Sequence, residues 1–272
     1  HVWDLTVRDQ PWTADLPTLR RAFTIDELLP QLTTAGIDGT VLVETINVAE
    51  ETPELLQLAQ SHQQVRGVVG WVELTDPAVT DVLAGLRQRP DGRWLVGIRH
   101  QVQSEPDLDW LLRPDVHRGL GAVGEAGLAY DLLVTREQLP AAIDAARALP
   151  QVRFILDHAG KPAIGDGELD PWRQHILKLA ALPNVAVKLS GLLTETGPDW
   201  TLAQLQPYAD HLLAAFGPNR VLFGSDWPVS TLRANYGDIV RVTGQLLAGL
   251  SPTEQAAVLG AAALDWYRLE DS

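Results

Sequence analysis

Short apolar runs recur along this chain, and the segments between them carry apolar residues at helical spacing. The runs at 40–44 (TVLVE), 65–74 (VRGVVGWVEL), 95–100 (LVGIRH), 121–128 (GAVGEAGL), 152–157 (VRFILD), 185–189 (VAVKL) and 221–223 (VLF) read as strands. Helices are predicted over 51–60, 77–87, 135–148, 171–181 and 201–216, with a short one over 107–112. The first helix starts at Thr24, which forms the pattern of a capping box with Glu27. Leu28, Leu29, Leu32 and Ala35 supply its apolar face, and Gly36 stops it. Residues 5–23 show no clear period and read as an irregular loop.

Strands alternating with helices imply parallel βαβ units. Counting a segment ahead of His1 as one more strand gives eight, the number that closes a single-domain (β/α)8 TIM barrel over 1–272. An open, doubly wound sheet is the alternative, but no Gly-rich fingerprint follows an early strand and no Walker sequence occurs. No linker, repeat or low-complexity segment divides the chain.

The composition, 46% apolar and 21% charged, is ordinary for a packed domain. With no apolar run long enough for a membrane span and no signal-peptide pattern, the expectation is a soluble, cytoplasmic protein. A formal charge of −14 disfavours nucleic acid and anionic membrane as partners. The absence of cysteine excludes disulfides, thiolate nucleophiles and Cys-ligated zinc, so any metal must be held by His and carboxylates. Methionine is absent too, so residues are expected ahead of His1.

In a parallel barrel the chemistry gathers at the carboxyl ends of the strands. Polar residues cluster there: Glu44, Arg99 and His100, Glu125, Asp157 and His158, Lys188 and Ser190, and Asp226. Asp226 follows the run Val221–Phe223 in a turn bracketed by Gly224 and Pro228, where it can take a proton from water, bind a metal or cap the next helix. His158 lies in a polar turn directly after an apolar strand, a context that favours chemistry over packing. Arg99 suits either a rim ion pair or a substrate carbonyl, carboxylate or hydroxyl. Asp157 is expected to pair with a backbone group or a neighbour. Lys188, flanked by apolar residues, needs a partner inside the barrel, and Glu125 is the expected one.

Three stretches carry more than pattern: Ile155–Pro162 (ILDHAGKP), Asn184–Leu192 (NVAVKLSGL) and Leu222–Pro228 (LFGSDWP). In this order they resemble the branch of the amidohydrolase superfamily that hydrolyses sugar lactones and 2-pyrone-4,6-dicarboxylate. The segment 97–103 (GIRHQVQ), followed by Glu105-Pro106, is similar to the L-fuconolactonase and L-rhamnonolactonase group in particular. The resemblance implies a (β/α)8 barrel with His-x-His on its first strand, a His on a middle strand and an Asp on the eighth. His1-Val2-Trp3-Asp4 matches the second His of the first motif and the residues after it, so the first His would lie ahead of residue 1. Near the end, Gly260–Ala263 lacks the Asn that commonly precedes the family's final helix.

The resemblance further implies that a sugar lactone, a small molecule, is opened by water, with Asp226 taking the proton while His1 and His158 polarise the carbonyl. Arg99, His100 and Trp227 are candidates for gripping the substrate, and Trp3, Glu125 and Lys188 are carried as further substrate-binding candidates. The expectation is that no cofactor is required. One divalent ion such as Zn2+ on His1, His158 and Asp226 is the alternative. A metal-dependent amidase or decarboxylase and a non-catalytic sugar-binding barrel remain open.

Overall fold

A computed structural model describes residues 1–269. Its frame is a parallel sheet whose spatial order is the chain order: β1 (Thr40–Val43), β2 (Val65–Gly70), β3 (Leu95–His100), β4 (Ala129–Leu132), β5 (Arg153–Leu156), β6 (Val185–Leu189) and β7 (Val221–Phe223). Each strand is reached from the last through a helix: α2 (Glu51–Ser61), α3 (Val79–Gln88), α4 (Pro114–Glu125), α5 (Leu139–Ala148), α6 (Trp172–Ala180) and α7 (Leu202–Phe216). The helices α1 (Ile25–Ala35) and α8 (Tyr236–Leu246) flank the two edges. The sheet curls into a TIM-barrel-like α/β fold, with seven strands among the described residues rather than the expected eight. His1 spans the seam between the two edge strands. Its main-chain nitrogen donates to the Trp227 carbonyl beyond β7, and its Nδ1–H donates to the Val43 carbonyl of β1, each at 2.8 Å.

β3, β6 and β7 fall where the apolar runs predict them. The run 121–128 does not form a strand: it is the second half of α4 and the turn after it, and β4 starts at Ala129. Glycines there argue against a helix on propensity alone. Tertiary packing overrides this, because a Cβ on Gly119 would lie 2.3 Å from the Leu74 carbonyl oxygen, so only a bare backbone lets α4 approach so closely. Glu125 therefore ends α4, exposed, on the side where β4 begins, away from the strand ends that carry chemistry. Thr24 does start α1, but the capping box does not form, because Glu27 turns to Arg21 at 2.8 Å. The short helix expected over 107–112 reduces to a 3-10 turn, Trp110–Leu112.

Inside the curled sheet the side chains form layers. At the floor Val69, Ala129, Ile155, Ala186 and Leu222 pack against Ala262, Trp266 and Tyr267 of the C-terminal segment. Two residues further along three of these strands the same inward face becomes ionic, as the period of a strand requires: Asp131, Asp157 and Lys188. The Lys188 ammonium pairs with both carboxylates, Arg99 pairs with Asp157 at 2.9 Å and Glu44 at 2.7 Å, and the Tyr267 hydroxyl donates to Asp131. Lys188 thus meets Asp131 and Asp157, not the expected Glu125. Burial pushes the Asp131 carboxyl up to about 6 against the pull of Lys188. Burial also raises Asp157, but Lys188 and Arg99 outweigh it and hold that carboxyl well below its usual range.

Cutting Lys188 out of this layer leaves Asp131 without a cation and Asp157 with Arg99 alone. Lys188→Met should therefore lower unfolding stability by about 3–5 kcal/mol, the usual cost of orphaning a buried partner. Denaturant unfolding measures it, and a variant as stable as the wild type removes the layer from any account of the fold.

Candidate active site

Just above the ionic layer, the turns leaving the strands carry the side chains that converge. Asp226 Oδ1 lies 3.7 Å from Nε2 of His1 and 3.7 Å from Nε2 of His158, and these side chains are only 5%, 10% and 12% exposed respectively. The sequence-predicted trio is therefore one cluster. The Asp226 side chain faces the imidazoles rather than capping a helix, and it is the Asp226 carbonyl that accepts from Ser230 N.

The backbone holds this cluster in conformations that side-chain-bearing residues rarely adopt. His158, Ala159, Lys161 and Asp226 all have φ between 50° and 54°, in the left-handed region. Such outliers persist only where the surroundings over-determine them, and they concentrate at working sites. Gly191 contributes by omission: at φ 68° it lies so close that a Cβ would be 2.6 Å from the His158 Cβ.

Hydrogen bonds restrict the ring protons. Val43 O can only accept, so His1 carries a proton on Nδ1, and in the neutral ring its Nε2 turns a lone pair to the mouth. His158 Nδ1 lies 3.0 Å from Ser190 Oγ; with the hydroxyl donating, its Nε2 carries the proton. Burial lowers the His158 pKa to about 4 despite Asp226 and Asp157, so its imidazole is neutral at pH 7. Burial pushes Asp226 up, but the neighbouring His158 and His1 outweigh it, and the carboxyl lies below its ordinary value. A carboxylate, the neutral His158 imidazole and the His1 ring thus face one another, an arrangement that can accept one proton and donate another.

Other sequence candidates are placed differently. Arg99 is 3% exposed, with its guanidinium engaged by Glu44 and Asp157 beneath the cluster. Trp227 and Trp3 lie in the core: Trp227 meets Phe23 edge-on at 5.6 Å, and Trp3 packs on Phe23 and donates from Nε1 to the Arg21 carbonyl. Apolar burial, rather than access to the mouth, accounts for both rings. His100 is buried and stacked on Trp110 at 4.3 Å; Trp71 Nε1–H donates to its Nδ1, so its Nε2–H donates to Glu105 at 2.8 Å. Each His100 nitrogen therefore has a partner, and the polar group presented outward is the Glu105 carboxylate, 27% exposed. Sequence reasoning missed that role, and Asp131 as well. The apolar residues 128–130 and 132–134 on either side of Asp131 were the available signal for β4.

The lowered His158 pKa has a thermodynamic consequence. Between pH 6.5 and 4 the unfolded chain binds a proton at this residue that the folded chain refuses, so its contribution to stability falls as the pH drops through that window. The loss is about 3 kcal/mol in all. Asp131 and Glu51, both raised to about 6 by burial, act in the opposite sense over part of this range, so the difference between wild type and variant is the diagnostic quantity. Unfolding stability of His158→Gln should therefore lose less than the wild type on going from pH 7 to pH 4; parallel curves refute a buried neutral imidazole.

Comparison with known proteins places this geometry. The family described as amidohydrolase matches residues 1–269. An L-fucono-1,5-lactonase of Burkholderia ambifaria is 37% identical over 279 residues, covering 99% of this chain and 94% of that protein. A second L-fucono-1,5-lactonase, from Burkholderia multivorans, is 34% identical, covering 100% of this chain and 95% of that one. A crystal structure of an amidohydrolase from Burkholderia multivorans with bound zinc superposes with a TM-score of 0.94 at 34% identity, over 99% of this chain and 97% of that one. From its first residue to the C-terminal helix, the chain belongs to the amidohydrolase family.

Proposed function

We propose that this chain hydrolyses a sugar lactone, an aldono-1,5-lactone of the L-fucono type, at the Asp226 cluster. The observation that carries the reading is the meeting of one carboxylate and two imidazoles at 3.7 Å on the carboxyl side of a parallel sheet. Likeness to two L-fucono-1,5-lactonases over nearly the whole chain supports the choice of substrate.

In this reading Asp226 accepts a proton from water, whose other hydrogen is held by the lone pair on His1 Nε2. The water oxygen bonds to the lactone carbonyl carbon, and the oxyanion that develops accepts a hydrogen bond from His158 Nε2–H. When the tetrahedral species collapses, the ring C–O bond breaks and the leaving alkoxide takes the proton back from Asp226. The product is an open-chain hydroxy acid. Glu105, oriented by His100, is suited to accept a hydrogen bond from a substrate hydroxyl. Arg99 acts as a positioning residue: it braces Asp157, whose neighbour in the chain is His158.

Two imidazoles and a carboxylate are donors of the kind that Zn2+ takes. Among the described residues, however, these three side chains do not stand as a metal-holding set, and the steps above use none. The proposed base and oxyanion donor act without one, on a substrate that is already an activated ester.

A panel of aldonolactones and dicarboxylate lactones, followed by proton release, tests the reaction. The expected result is saturable opening of at least one aldono-1,5-lactone; no turnover of any lactone refutes the assignment. Asp226→Asn keeps the side-chain volume and removes the acceptor, so kcat should fall by about 10² to 10⁴, and a variant retaining half its activity removes Asp226 from the role of base. Enzyme treated with a strong chelator and then dialysed should keep its activity, whereas a loss restored by added Zn2+ would assign His1, His158 and Asp226 as metal ligands.

A further inference from the structure

The opposite end of the barrel holds a feature the reaction does not use. A solvent-open cavity of about 710 Å³ lies at the amino ends of β2, β3 and β4, where Val65, Leu95 and Leu128 line it. Its volume falls in the range of about 300–1,000 Å³ typical of small-molecule sites. The charged residues lining it are all arginines, Arg66, Arg87, Arg93 and Arg268, and no Asp or Glu is among the described residues of the lining.

This is unusual in a chain of formal charge −14, where most arginines meet a carboxylate: Arg8 with Glu54, Arg20 with Asp9, Arg89 with Asp91, Arg113 with Asp115. Among the described residues Arg66 and Arg268 take part in no ion pair, Arg93 lies over the Trp94 ring at 4.0 Å, and Arg87 reaches only the Leu95 carbonyl at 3.4 Å. The local backbone adds a second sign. Arg268, at φ 51°, is the one left-handed non-glycine residue among those described that lies away from the Asp226 cluster. Burial and then the nearby Arg268 hold the Arg153 guanidinium below its ordinary value, against the pull of Asp265. Guanidinium groups present planar forks that match the oxygens of phosphate two at a time, and four facing one hollow repel one another until an anion is present.

We infer that this hollow is a binding site for a small multivalent oxyanion, of the class of a phosphorylated metabolite, separate from the catalytic mouth. The site goes beyond the lactonase reading and stands whether or not that reading does.

Pyrophosphate titrated calorimetrically into the full chain at low ionic strength is the probe. The expected result is saturable binding of one anion per chain, at least tenfold weaker in Arg66→Ala and in Arg268→Ala. Binding should be unchanged in Arg118→Ala, which alters an exposed arginine outside the hollow. Thermal unfolding midpoints near that of the wild type certify the variants as folded, and Arg93→Ala serves should either be unstable. Heat that does not saturate, or that weakens as much in Arg118→Ala as in the hollow variants, overturns the site. A chain ending at Leu269 tests the acidic residues Glu270 and Asp271 that follow in the sequence. Binding by that chain with none by the full one assigns the hollow to the chain's own terminus and equally overturns it.

Discussion

Lys188 cannot be buried alone. A bare ammonium inside the curled sheet would carry a desolvation cost of several kcal/mol, so the position demands anionic neighbours. Asp131 and Asp157 supply them from β4 and from the end of β5. Those carboxylates in turn outnumber the lysine, and Arg99 from β3 is drawn in, with Glu44 from the end of β1 behind it. One buried charge thus propagates through four further charged side chains, and their mutual attraction fixes the relative height of the strands that bear them. His158 follows Asp157 directly, so the height of its imidazole is inherited from an ion pair one residue away.

Much of this was legible in the sequence, for reasons particular residues make plain. The runs at 185–189 and 221–223 are apolar and end abruptly in polar turns, so their limits follow from composition. His158 and Asp226 could be picked out because each comes just after such a run, where a packed histidine or a surface carboxylate is less expected. What failed was tertiary. The run 121–128 read as a strand because nothing local says that α4 must press against the Leu74 carbonyl at Gly119. Once that segment was misplaced, Glu125 looked like a strand-end carboxylate and Asp131 was passed over. Trp3 and Trp227 are a different case: an aromatic ring beside a motif is equally suited to a sugar face and to a core, and the structure packs both against Phe23. Glu105 was hidden because its role depends on which nitrogen of His100 holds the proton, and that is set by Trp71 from a different strand end.

The left-handed backbone at His158 and Asp226 shows where local preference yields to tertiary structure. Neither residue would adopt that conformation in an isolated turn, and each forces a side chain inward that would otherwise face solvent. The strain is tolerated because the neighbouring turns are themselves fixed, by Ser190 on one side and by the His1 contacts to β1 and β7 on the other. A relaxed turn at either position would carry the same residues and lose their meeting point.

The stacking of apolar floor, ionic layer and reactive mouth along one axis gives depth a genetic meaning. Natural variants of this protein should sort by height: drift among Ala129, Ile155 and Ala186 is constrained by volume alone, whereas Asp131, Asp157 and Lys188 can change only in concert. At the top, the loops around Glu105 are free to diverge in length and sequence so long as the turns bearing His158 and Asp226 are left alone. A lineage could therefore explore new substrates through its upper loops while the layer below keeps the chemistry in register.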